Sequence, residues 1–170
     1  MPALVDATYV CAGFNIVTRI ANSLGFKVPS EELFLRAARL LRLFGYRRLS
    51  GFWTSGSNYI TPHANRAVTH LDDPYANKME RLRYAVVSGP GALAPNIRQA
   101  ICEGDYTSAP LGAFAQKVAD HAFMVNDDDI RELHRAHYSD DQIFEAAVSA
   151  SLGAGLYRLD RVLTVLRANT

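Results

Sequence analysis

The sequence predicts an all-α fold, and three observations carry that expectation. Apolar residues recur at spacings of three and four through most of the chain, helix-start signals stand just before several of these stretches, and no segment alternates apolar and polar residues between turns. At 170 residues, 49% hydrophobic and 21% charged, the chain has the size and balance of one domain, so a single helical domain over residues 1–170 is expected.

Residues 4–24 set Leu4, Val5, Tyr9, Val10, Phe14, Ile16, Val17, Ile20 and Leu24 on a helical period, and Gly25 stands where helices end. Only Asp6, Asn15, Arg19 and Asn22 interrupt this apolar surface, so the helix should be buried on more than one face. Pro29-Ser30 opens a second helix. Glu31 and Glu32 complement the positive end of its dipole, Arg36, Arg39 and Arg42 populate its later turns, and Gly45 closes it. Residues 45–76 have no clean period. Glycines and prolines punctuate them, and Tyr46, Trp53, Tyr59 and Tyr75 are rings that are costly to leave in water, so an ordered connection is expected.

Asn77 reads as the cap of a helix reaching Ser88, which Gly89-Pro90-Gly91 breaks. A short helix from Pro95 to Glu103 is stopped by Gly104, and another runs from Pro110 to Phe123 with Leu111, Phe114, Val118 and Ala122 on one face. Asn126 stands three before Asp129, and Ser139 three before Gln142, the capping-box spacing, at the starts of the last two helices. The final helix, from about Asp140 to Leu166, contains Gly153-Ala154-Gly155. Glycine destabilises an exposed helix interior, so close approach of another backbone is the expected reason for these residues.

Composition excludes several function classes. Eighteen Lys+Arg against seventeen Asp+Glu leave a formal charge of +1, so neither a basic nucleic-acid-binding face nor an acidic tail is expected. Cys11 and Cys102 lie too far apart for a metal or redox motif and are too few for a disulfide scaffold, which makes a reducing, cytoplasmic setting the default. The opening MPALVD lacks the basic region and long apolar stretch of a signal peptide, and no run approaches the roughly 18 apolar residues of a membrane span.

Laying FNIVTRIANSL (14–24) on GAGLYRLDRVL (153–163) brings Arg19 onto Arg158, Ile20 onto Leu159 and Leu24 onto Leu163. The strings VNDDDI, HYSDDQI and GLYRLDRVL, together with the helix opening Lys117-Val118, resemble the C-terminal half of the alkylhydroperoxidase D and carboxymuconolactone decarboxylase superfamily. There a "K-V" helix leads through "V-T-D-E-D-V" and "G-Y-S-D-E-E-I" helix starts to a terminal Arg-containing helix. FNIVTRIANSLGF resembles that terminal helix again. The resemblance covers residues 78–166 well and 8–26 by repeat, so 1–26 reads as the remnant helix of a preceding unit. It implies an AhpD-like helical bundle that assembles into dimers, trimers or hexamers and is often a thiol-dependent peroxide reductase. Catalytic members carry C-x-x-C-x-x-x-H, in which a low-pKa thiolate attacks peroxide and a second cysteine resolves the intermediate. Gly89, Ala92 and Asn96 fall at about those positions here, and the chain contains no C-x-x-C, which disfavours the usual peroxidase chemistry.

The remaining chemical candidates each have a plainer reading. Cys102 stands near the end of a short helix, where the dipole disfavours a thiolate, so it reads first as a structural thiol and second as an atypical nucleophile; Cys11 reads as packing. Glu80 and Tyr84, one turn apart, lie near where the resemblance places a proton-relay glutamate, although a solvated pair is the simpler reading. His121 could act as a general base or as a partly buried histidine. His134 and His137 share a helix face behind Asp127, Asp128 and Asp129, but acidic first turns and basic last turns are the ordinary complement of a helix dipole, so no metal and no cofactor is expected. Arg19 and Arg158 should pair with buried carboxylates rather than bind an anionic ligand, Glu145 and Asp160 being available. His63 and His70 could line a pocket in the aromatic connection.

The functional expectation is a subunit of this superfamily type without the redox cysteine pair, non-catalytic or dependent on a partner. That partner would be a second copy of the chain or a family protein bearing C-x-x-C; a membrane or nucleic acid is not expected. The alternative is a cofactor-free acid–base enzyme of decarboxylase or lactone-processing type using Glu80, Tyr84 or His121, or a peroxidase using Cys102 alone. An enzyme requires these groups to converge in a pocket.

Overall fold

A computed structural model of the chain describes residues 2–26, 30–32, 35, 36, 39 and 75–168. The chain divides into two compact units, one formed by residues 1–26 with 73–170 and the other by 27–72. In the second unit the described residues Glu31, Glu32, Leu35, Arg36 and Arg39 are helical, and Arg36 meets Glu32 one turn away at 2.6 Å on the surface. The predicted end of that helix at Gly45, the aromatic connection up to residue 74, and His63 and His70 lie outside the described residues.

All regular structure among the described residues is helical. The first unit comprises α1 (Pro2–Ser23), α2 (Ala76–Ser88), α3 (Pro95–Glu103), α4 (Leu111–His121), a 3-10 turn (Ala122–Met124), α5 (Asp127–Arg135) and α6 (Asp140–Ala168). Helix α6 is the axis of the unit, since α1, α2, α3 and α4 all pack on it. Its sequence permits this. Ala146, Ala147, Ser149, Ala150 and Ser151 are fully buried, and such small side chains let neighbouring helices approach from several directions. A Cβ at Gly153 would overlap the carbonyl oxygen of Cys102, and one at Gly155 would overlap the side chain of Ile16. The two glycines therefore set the approach of α3 and α1 to α6.

Leu111, Phe114 and Val118 of α4, Ile101 of α3, Leu133 of α5 and Ile143 of α6 form the main apolar cluster. Each large side chain so buried contributes about 1.5–3 kcal/mol. A second cluster joins Tyr9 and Ala12 of α1 to Leu159 and Leu163 of α6. Among the described residues, helix α1 thus buries one face. Its opposite face leaves Leu4, Val10, Phe14 and Val17 exposed, Phe14 at 70% and Val17 at 62%.

Both capping boxes form. Oδ1 of Asn126 accepts from the amides of Asp128 and Asp129, and the amide of Asn126 donates to Asp129 Oδ2 at 2.8 Å. The amide of Ser139 donates to Gln142 Oε1 at 3.0 Å, and that of Gln142 to Ser139 Oγ at 3.3 Å. Asn77 does not cap α2, because the helix begins one residue earlier: Tyr75, whose ring lies 4.9 Å from that of Tyr9, accepts from the amides of Lys78 and Met79. Helices α1, α3 and α5 end alike, with paired bonds from the residue in left-handed conformation and the one after it back to the last turn. That residue is Gly25 in α1 and Gly104 in α3, but His137 (φ 66°) in α5.

Candidate functional site

Two cavities hold the charged groups of interest. The first, about 550 Å³, lies between the end of α2, the connection following it and the start of α6, lined by Val86, Pro90, Arg98, Phe144, Glu145 and Val148 among others. Arg98 is 3% exposed. Its Nη1 donates to Val86 O at 2.9 Å and its Nη2 to Gly89 O, which satisfies carbonyls at the end of α2. Its Nε has no hydrogen-bond partner among the described residues and lies 3.8 Å from Glu145 Oε2. Glu145 in turn accepts from the amides of Ala92 and Leu93 at 2.7 and 2.8 Å. Arg98 and Glu145 together hold residues 89–94, the connection from α2 to α3, against α6. Gly89 and Ala92, which the resemblance sets at two redox-cysteine positions, belong to this connection.

The second cavity, about 340 Å³, lies between the end of α3, α4 and the middle of α6, with Cys102, Tyr106, Asp120, Tyr157 and Arg158 in its wall. Burial pushes the Cys102 thiol up, Glu103 adds to the rise and Arg83 opposes it, so the thiol is held in its neutral form at neutral pH. Burial also raises Tyr106, reinforced by Asp120 and Cys102 and opposed by Arg158 and Arg19. Arg19 is lowered by burial and then by Arg158, while Asp120 and Tyr106 act in the other direction. The two arginines matched by the internal repeat are therefore electrostatic neighbours beside one tyrosine and one aspartate.

This corrects the expected pairing. Neither Arg19 nor Arg158 forms an ion pair with Glu145 or Asp160. Arg19 donates to Asn15 Oδ1 at 3.0 Å and to Val118 O at 3.4 Å. Arg158 is exposed and donates to Ala154 O of its own helix at 2.8 Å. The carboxylate is engaged instead by Arg98, which sequence reasoning passed over. The available signal was its position three before Ile101, on the apolar face of α3.

The other proposed site residues do not gather. Glu80, Tyr84 and His121 are exposed and line neither cavity; the His121 ring meets Phe123 edge-on at 6.2 Å. Cys102 alone of the four lies in a cavity wall. Cys11 is exposed on α1. His134 serves the α5–α6 corner, with Nδ1 3.2 Å from Tyr138 O and Nε2 3.2 Å from Asp140 Oδ1. Asp129, besides capping α5, accepts from Lys117 Nζ at 2.7 and 2.8 Å, which ties α4 to α5. Among the described residues no three His, Cys, Asp or Glu side chains converge as a metal site, and no helix is long and apolar enough to cross a membrane. Comparison with family models, curated proteins and solved structures gives no match.

Proposed function

We propose that this chain is a subunit of the alkylhydroperoxidase D and carboxymuconolactone decarboxylase type that lacks the redox cysteine pair and works by assembly, through α1, with a second copy of itself. The observation carrying this reading is the apolar stripe of α1. Val10, Phe14 and Val17 follow one another at i, i+4 and i+7 on a face that no other element of the unit covers, and Leu4 is exposed a further turn and a half toward the start of the helix. Contiguous apolar surface of this kind is characteristic of interaction sites. The strings VNDDDI, HYSDDQI and GLYRLDRVL support the family reading, and the neutral Cys102 thiol argues against a peroxidase role for that residue.

Light scattering tests the reading. A mass above the 18.7 kDa of one chain is expected at micromolar concentration, falling to that mass when Phe14 and Val17 are both changed to Glu. Both side chains are exposed, so the double variant should keep its helical circular dichroism. A wild-type monomer, or a double variant that stays assembled, refutes the proposed interface.

A further inference from the structure

The second cavity has donor capacity that the protein's own contacts do not use. Arg158 commits one N–H to Ala154 O, which leaves the rest of its guanidinium fork, a group suited to holding a carboxylate by two parallel bonds. Tyr106 has no hydrogen bond from its hydroxyl among the described residues, although the residue is half-buried in the cavity wall. Of the two acidic groups there, Glu103 is met by Arg83 at 3.1 Å and by Gln99 at 3.0 Å. Asp120 acts on Arg19 and on Tyr106, and Arg158 and Arg19 both act on Tyr106, so two arginines and one carboxylate bear on that hydroxyl. The remaining wall is apolar or small: Ala119, Gly153, Ala154 and the ring of Tyr157. A volume of about 340 Å³ lies at the lower end of the range for small-molecule sites.

We propose that this cavity binds a small organic monocarboxylate, its carboxylate held by the Arg158 guanidinium and the Tyr106 hydroxyl and its apolar body against Ala119, Ala154 and the Tyr157 ring. A single negative charge balances the site, and the apolar wall offers no partner for a second one, which sets the preference for a monocarboxylate. The site does not depend on the proposed assembly.

The probes are acetate, hexanoate, benzoate and inorganic phosphate, titrated at constant ionic strength to about 10 mM, where millimolar affinities register. Backbone amide shifts at Gly104, Gly153 and Ala154 are the readout. Saturable shifts are expected with hexanoate or benzoate, weaker ones with acetate and none with phosphate. Arg158→Met should weaken binding at least about tenfold, and Tyr106→Phe about fivefold, as loss of a charged and a neutral hydrogen bond predicts. Arg158 is exposed and bonded only to its own helix, so its replacement should leave thermal stability nearly unchanged and keep the comparison interpretable. Absence of saturable shifts with all three carboxylates, equal binding by phosphate, or undiminished binding by both variants would overturn the proposal.

Discussion

Buried Arg98 and part-buried Glu145 face each other at 3.8 Å, each also bonded to backbone that the other does not touch. Arg98 takes the carbonyls of Val86 and Gly89, and Glu145 takes the amides of Ala92 and Leu93. A connection with little regular structure is thereby bound on both sides by two side chains.

Removing one partner should therefore cost more than the pair is worth. Glu145→Ala leaves a buried guanidinium without its counter-charge and the amides of Ala92 and Leu93 without their acceptor, and a loss of about 3 kcal/mol in urea unfolding is expected, the low end for a buried pair because Glu145 is part-exposed. The Arg98→Met, Glu145→Ala double variant should lose clearly less than the sum of the two single changes, because contacting charges couple. Strict additivity in that cycle would show that the pair does not interact.

His137 occupies the left-handed position closing α5, where its Cβ is strained and glycine is at ease. The side chain is exposed. His137→Gly should stabilise the protein by about 1 kcal/mol, read as a higher denaturation midpoint with unchanged slope. A destabilised variant would mean that the imidazole holds something the backbone strain conceals.

Cys102 and Tyr106 are both raised, chiefly by burial. A group raised on folding contributes stability that is complete below its unfolded pKa and is lost as pH climbs through the folded one, since the unfolded chain releases the proton first. The melting temperature should fall from about pH 8.5 upward, through the ordinary thiol and phenol ranges. A Cys102→Ala, Tyr106→Phe variant should show a flatter decline. In the Phe14→Glu, Val17→Glu variant, which leaves α1 uncovered, iodoacetamide at neutral pH should label exposed Cys11 before Cys102; the reverse order would contradict the neutral, sheltered thiol.

Local chemistry was legible in the sequence. The capping boxes of Asn126 with Asp129 and Ser139 with Gln142 join groups three positions apart, so spacing alone specifies them. The bounds of α3, set between Pro95 and Gly104, follow for the same reason, as does the all-α class, which rests on periodicities within single segments. Asn77 misled because the start of α2 is decided by a contact between Tyr75 and distant Tyr9.

What joins separate helices was decided only by the tertiary structure. Ala92 and Glu145 are 53 positions apart, and nothing in either segment says which acid meets which arginine until α3 and α6 are packed. The repeat aligned Arg19 with Arg158 but could not show that they stand beside the same Tyr106 and Asp120. Periodicity shows which face of a helix is apolar, while the choice of helix covering it depends on shape. Gly153 and Gly155 announced a close approach, and the carbonyl of Cys102 and the side chain of Ile16 became its partners only when the backbones met.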